Sequence, residues 1–212
     1  MPSPAASGLG SKKKTLHASE RDTAQVRQAR DQYWQDIARH PVKRLKFVDE
    51  SGVNIAMTRR YGRARRGQRV HDAVPENWGR NVTVLGALSY QGLDAVMTVE
   101  DAADASVFRA YVTEVLAPTL QADDVVVMDN LSTHKVRGVR EAIEAKGAAL
   151  VYLPPYSPDY SPIEPCWSKL KTSLRAIKAR TRDALDEALS KVVDTVTTRD
   201  AEGWFTHCGY AF

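Results

Sequence analysis

Two short apolar runs limit the folds open to this chain: "VVVM" at residues 125–128 and "ALVYL" at residues 149–153. Each is apolar at consecutive rather than alternate positions. A strand with that pattern has both faces of its pleat in a core, as happens inside a sheet covered on both sides. The stretch between them, "THKVRGVREAIEAKG", has helical spacing and ends at Gly147, a residue suited to a helix C-terminus. Strand, helix and strand in this order make a parallel pair with a helical crossover.

The upstream half supplies the remaining elements. "SERDTAQVRQARDQYWQDIARH" reads as a helix: Ser19 with Asp22 resembles a capping box, Val26, Ala29, Tyr33 and Ile37 recur at helical spacing, and Pro41 ends it. "RLKFVDE" is a short strand, and "GVNIAMT" follows so closely that it is expected as the antiparallel neighbour. "NVTVLGALSY" and "LDAVMTV" flank "QG" as a hairpin. "DASVFRAYVTEVLAPTL" is a helix with Val107, Tyr111, Val115 and Leu120 inward, and two more helices are expected near residues 163–180 and 181–196. The order is strands joined by hairpins, then helix, strand, helix, strand, helix. The expected fold is therefore α/β, a three-layer domain with a mixed five-stranded sheet and helices on both faces. Residues 1–40 form a flexible basic leader plus one helix, residues 41–200 the domain, and residues 201–212 an aromatic tail that docks on the core or on a second subunit.

Composition excludes several classes. The chain has 212 residues, of which 43% are hydrophobic and 26% charged, with no long apolar run, so a membrane span is not expected. The start, "MPSPAASGLGSKKKTLH", lacks the apolar stretch of a secretion signal, and Cys166 and Cys208 match no metal spacing. Both cysteines read as reduced bystanders in a cytoplasmic protein. A net charge of +4 permits a nucleic-acid partner without requiring one.

Three acids stand out. Asp49 ends the first strand and Asp129 the fourth, where ligands gather at the carboxyl ends of α/β sheets. Either alone reads equally well as a turn cap; two on neighbouring strands argue for a shared purpose. The third is Glu164, in "PPYSPDYSPIEPCW", where five of fourteen residues are proline. Ile163, Trp167, Leu170, Leu174 and Ile177 form an apolar stripe on the helix that follows, with Trp167 read as core. One residue round, Glu164 heads a polar row of Ser168, Lys171, Arg175 and Lys178. Ser161-Pro162-Ile163-Glu164 also fits a capping box, whereas Pro165 places the helix start at or after Glu164. Three carboxylates suit phosphodiester chemistry. Two Mg²⁺ (or Mn²⁺) ions roughly 3.5–4 Å apart activate one oxygen and stabilise another, and Mg²⁺ needs only a few such hard ligands. A stiff proline lead-in lowers the entropy of holding a carboxylate that lies far along the chain from the other two.

In this order Asp49, Asp129 and Glu164 resemble the DDE transposases, and the segments are similar to those of mariner-related bacterial insertion-sequence transposases. The likeness rests on "FVDESGVNIAMTRRYGRARRGQRV", "VVVMDNLSTHK" and "YLPPYSPDYSPIEPCWSKLK", and on the 34 residues between Asp129 and Glu164. It implies an RNase H-like fold, a divalent metal on the three acids, and DNA cleavage with strand transfer on duplex transposon ends and target by a homodimer assembled on DNA at the nucleoid. Where relatives carry Asn-Pro-Ile-Glu, this chain has Ser161-Pro162-Ile163-Glu164-Pro165. Full-length members begin with helix-turn-helix units; here one helix precedes Asp49. The expectation is a catalytic half, truncated or from a split reading frame, with a separately encoded helix-turn-helix partner. The alternatives are an RNase H-like nuclease that only hydrolyses and a non-catalytic DNA-binding remnant.

The remaining candidates surround these acids. Arg59, Arg60, Arg63, Arg65, Arg66 and Arg69 read as a loop gripping phosphates, against the plainer reading of a solvated face. Lys171, Arg175 and Lys178 are candidates for the same role. Asn130 is placed to orient a water, His134 reads as a packing residue at a helix start rather than a base, and Tyr156 and Asp159 as residues that shape the proline loop.

Overall fold

The computed structural model describes residues 18–211; the basic leader lies outside the described residues. Its centre is a five-stranded sheet of β1 (Leu45–Val53), β2 (Val82–Ser89), β3 (Gly92–Glu100), β4 (Val125–Met128) and β5 (Ala149–Tyr152), in the spatial order β3-β2-β1-β4-β5. β1, β2 and β3 are antiparallel, while β4 lies parallel to both β1 and β5. The sheet is mixed, as expected.

Alternation along the central strands divides the core into two layers. Phe47 of β1 and Val125 and Val127 of β4 face one layer, while Val48, Val126 and Met128 face the other. The first layer is closed by α1 (Ala24–Ile37), α4 (Ile163–Ile177), α5 (Arg182–Val193) and α6 (Thr198–His207). The second is closed by α2 (Ala105–Ala110), its continuation through Thr119, and α3 (Val139–Glu144). All four residues of β4 are buried on both faces, which is why the run carries no polar position. Tyr33 and Ile37 of α1 pack in the same cluster as Phe47, Phe205 and Tyr210, so both ends of the described chain contribute to one core.

Several local expectations are corrected. "GVNIAMT" is not a strand: Gly52 and Val53 finish β1, and both positions beside β1 are already filled, by β2 and β4. The chain turns away at Asn54, whose Oδ1 accepts the Ala56 N–H at 3.1 Å, and runs as an irregular loop to residue 81. Ser19 does not cap α1; Thr23 does, accepting the Val26 N–H, and residues 19–22 form a separate 3₁₀ turn. In the second helix a π-helical segment at Tyr111–Leu116 shifts the phase, so Phe108, Tyr111, Val112 and Leu116 face inward. The helix read before Gly147 is split, because Gly138 at φ +98° breaks a 3₁₀ turn at Ser132–Lys135 from α3. Three helices, not two, follow the proline loop. Finally, α4 begins at Ile163, with no side-chain cap from Ser161. Pro165 sits in its first turn, where an N–H has no intrahelical acceptor to lose.

Candidate active site

The parallel ladder between β1 and β4 ends at Val48 opposite Met128. The next residue on each strand is an aspartate, so Asp49 and Asp129 lie side by side at the place where the two strands stop pairing. Asp49 is not at a strand end, as the sequence implied: β1 continues to Val53 against β2, which lends it a rigid backbone on that side. Glu164, in the first turn of α4, lines the same cleft of about 330 Å³ together with both aspartates, Asn130, Tyr156 and Ser161.

Asp49 is opposite Gly86 on β2. A Cβ there would come within 3.0 Å of the Trp167 ring, so glycine makes room for the indole. Trp167 fills that room and donates its Nε1–H to Asp49 Oδ2 at 2.9 Å. It is core, being 2% exposed, and also a direct partner of a candidate ligand. Burial raises the Asp49 carboxyl, and the charges of Glu164 and Asp129 add to this; although the Glu50 backbone and Trp167 act the other way, it stands at about 7.

Asp129 has a different environment. Its Oδ1 accepts the Leu131 N–H at 3.1 Å and lies 2.5 Å from His134 Nδ1, an ion-pair contact without the alignment of a hydrogen bond. His134 is 1% exposed, stacks on Phe108 and reaches Glu50 Oε2 at 3.3 Å with its other nitrogen. Burial opposes a charge on this ring, but Asp129 and Glu50 outweigh it and push the imidazole up to about 9. Burial likewise works against the Asp129 charge, and His134 with the Leu131 N–H holds that carboxyl below its ordinary value. His134 therefore packs at a helix start, as read, and also steadies an acid.

The donor set fits a hard divalent cation. Among the described residues Asp129 Oδ2 and the Glu164 carboxylate have no hydrogen-bond or ion-pair partner. The repulsion felt by Asp49 is of the kind a cation relieves. The set is not a finished cage, because no group of three His, Cys, Asp or Glu side chains among the described residues is gathered tightly enough to hold an ion. Tyr156, at φ +56° and 49% exposed in the same cleft, is a strained non-glycine residue of the kind that collects at functional sites.

Beside the cleft lies a basic groove. Arg59, Arg60 and Tyr61 line one wall of a 550 Å³ depression, and Ser168, Thr172, Arg175 and Ala176 of α4 the other. Arg63, Arg65, Arg66 and Arg69 are exposed farther along the loop. Lys171 bridges the two regions: burial lowers its pKa, Arg175 and Arg60 add to that, and Glu164 and Asp49 oppose it. Lys178 is paired within the protein: its Nζ lies 2.6 Å from Asp72 Oδ2 and ties the arginine loop to the end of α4. That pairing could not be read from the sequence, since 106 residues separate the partners.

A family model described as DDE superfamily endonuclease matches residues 44–186, more than half of the chain. The chain belongs to that family. Solved structures agree in fold. The Mos1 transposase paired-end complex with left transposon end superposes with a TM-score of 0.74 at 14% identity, over 94% of this chain and 62% of that one. The Mos1 mariner paired end complex with Mn gives 0.71 at 16% identity, over 95% and 65%. The catalytic domain of Mos1 mariner transposase gives 0.65 at 12% identity, over 92% and 91%. This member of the family thus has the RNase H-like architecture of that domain, and it spans 62% of the longer Mos1 chain in the first complex. No curated protein sequence matches it. Among its described residues no helix is long and apolar enough to cross a membrane.

Proposed function

We propose that this chain is the catalytic portion of a DNA transposase, of the mariner-related insertion-sequence kind, that cleaves transposon ends and joins them to target DNA. The observation that carries this reading is the meeting of Asp49, Asp129 and Glu164 in one cleft, directly beside a groove of arginines with no acidic partners among the described residues.

Asp49 and Asp129 would hold a divalent ion, Mg²⁺ or Mn²⁺, with Glu164 completing the set for one or two ions. Such ions lower the pKa of water and offset charge on the scissile phosphate and the leaving oxygen. The protein's own groups do the rest. Trp167 orients Asp49, and His134 orients Asp129. Lys171 neutralises phosphate charge between cleft and groove, while Arg60 and Arg175 hold the flanking backbone. Asn130, exposed at the cleft, orients a water. Water is the first nucleophile and the freed 3′-hydroxyl the second. Assembly on paired ends as a homodimer, with a separate helix-turn-helix segment supplying sequence preference, follows from the same reading, as does action at the nucleoid.

The test is turnover of end-labelled duplex by the full chain with Mg²⁺ or Mn²⁺. Shortened strands together with joined products are expected, and both should vanish in Asp129→Asn. Shortened strands alone would make the protein a nuclease that only hydrolyses. Binding without any turnover would leave a DNA-binding remnant.

A further inference from the structure

The proline loop is held by residues that play no part in the chemistry above. Arg30 of α1 is 8% exposed, a strongly unfavourable place for a guanidinium unless its donors are met. Every hydrogen bond that this side chain makes among the described residues goes to that loop. Nη1 donates to Ser157 Oγ at 2.6 Å and to Asp159 Oδ1 at 3.1 Å, and Nη2 donates to Asp159 Oδ2 at 2.8 Å. The guanidinium carbon lies 3.8 Å from the centre of the Tyr160 ring. The planar fork thus takes a carboxylate at two points, a hydroxyl at a third and an aromatic face at a fourth, which an ammonium cannot do.

Neighbouring contacts close the clamp. Tyr160 stacks on Tyr33 at 5.7 Å and meets Trp34 edge-on at 5.0 Å, both from α1. Tyr210 Oη donates to the Tyr160 carbonyl at 2.7 Å from the other end of the chain. The Ser157 hydroxyl donates onward to the Pro155 carbonyl at 3.0 Å. Arg21 adds a second cation to Asp159 at 3.0 Å. α1 and Tyr210 both lie outside residues 44–186, the part matched by the family model.

We infer that Arg30 is a positioning residue for Glu164: by gripping Ser157, Asp159 and Tyr160 it fixes the loop whose next turn presents that carboxylate to Asp49 and Asp129. The path is short. Pro158–Tyr160 form one 3₁₀ turn, the Glu164 N–H bonds the Ser161 carbonyl at 3.2 Å, and Ser157, Pro158 and Ser161 line the same cleft as Glu164. Proline stiffens this segment but does not anchor it; Arg30 supplies the anchor. The inference rests on the reading of the three acids as a metal-binding set.

The experiment compares the full chain with Arg30→Ala, Arg30→Lys and Asp159→Asn in three measurements: Mn²⁺ affinity by electron paramagnetic resonance of the free ion, hydrogen exchange at Tyr160 and Ser161, and kcat against KM for DNA. Loss of the anchor should weaken Mn²⁺ binding about tenfold, the scale seen when an outer support of a ligand is removed. It should also speed exchange at both amides and lower kcat while KM for DNA holds. Arg30→Lys should fall between wild type and Arg30→Ala. Asp159 is partly exposed, so Asp159→Asn decides the matter where Arg30→Ala fails to fold. Unchanged Mn²⁺ affinity in a folded variant, with wild type binding the ion, overturns the positioning role. Wild type that binds no Mn²⁺ overturns instead the metal reading of the acids, while the exchange rates still report whether the clamp holds the loop.

Discussion

Burial and the charges of Glu164 and Asp129 push the Asp49 carboxyl up to about 7, so the metal-free protein is strained at this residue. The sign follows from proton counting. Folded Asp49 keeps a proton between about pH 4, the unfolded value, and pH 7, so stability from this group is greatest below that window and lost as pH rises through it. Asp49→Asn keeps an acceptor for Trp167 and removes the charge. In EDTA at pH 8 it should melt higher than wild type by roughly 10 °C, corresponding to about 4 kcal/mol for a rise to about 7, with the gap closing by pH 4. The same variant should bind no Mn²⁺. Equal melting curves at pH 8 would place Asp49 in a wetter setting than its contacts indicate. Trp167→Phe tests the neighbouring contact: it keeps an aromatic ring, though a smaller one, and deletes the N–H donor. Circular dichroism should not change, while cleavage should slow by about tenfold. An unaltered rate would make Trp167 a core residue only.

The loop between β1 and β2 is neither floppy nor a strand. Arg180 Nη1 bonds the carbonyls of Ile55 and Met57 at 2.7 and 3.0 Å, and Asp72 receives Thr58 and Lys178. These ties fix both flanks and leave the arginine-bearing middle exposed. Replacing Arg63, Arg65 and Arg66 together by alanine should weaken duplex binding equally for all sequences. For every phosphate that an arginine no longer neutralises, the slope of log K against log salt should flatten by roughly 0.9. A slope that stays the same would assign these arginines to a solvated face. α4 is the other element that joins cleft and groove: Glu164 and Trp167 serve the acids, while Lys171 and Arg175 face the loop.

Across the whole molecule, both ends of the described chain are structural parts of the core beneath the three acids. Phe205 of α6 is fully buried and meets Phe47 edge-on at 5.3 Å, two residues before Asp49 on β1. Phe205→Ala should destabilise the protein by about 3–5 kcal/mol, or roughly 10 °C in melting temperature at this size. A thermal melt checks this. A drop of only a degree or two would mean that α6 is a dispensable cover. α1 makes the corresponding contribution to the same cluster, through Tyr33, Ile37 and the Arg30 clamp.

Adjacent chemistry was legible along the chain, and distant partnership was not. The unbroken apolarity of residues 125–128 announces a strand buried on both faces, because no polar side chain could be tolerated there. The acids at 49, 129 and 164 stand out because each follows a segment built to hold a backbone still. Register, however, is a property of two strands at once, so only the folded sheet sets Asp49 beside Asp129 and Gly86 beneath Trp167. The same holds for Lys178 with Asp72, His134 with Glu50, and Arg30 with Asp159, whose partners lie from 84 to 129 residues apart. Spacing along a helix or strand is set by local geometry and can be read from one segment. Contacts across the core depend on how all the segments pack, and no single stretch of sequence carries that information.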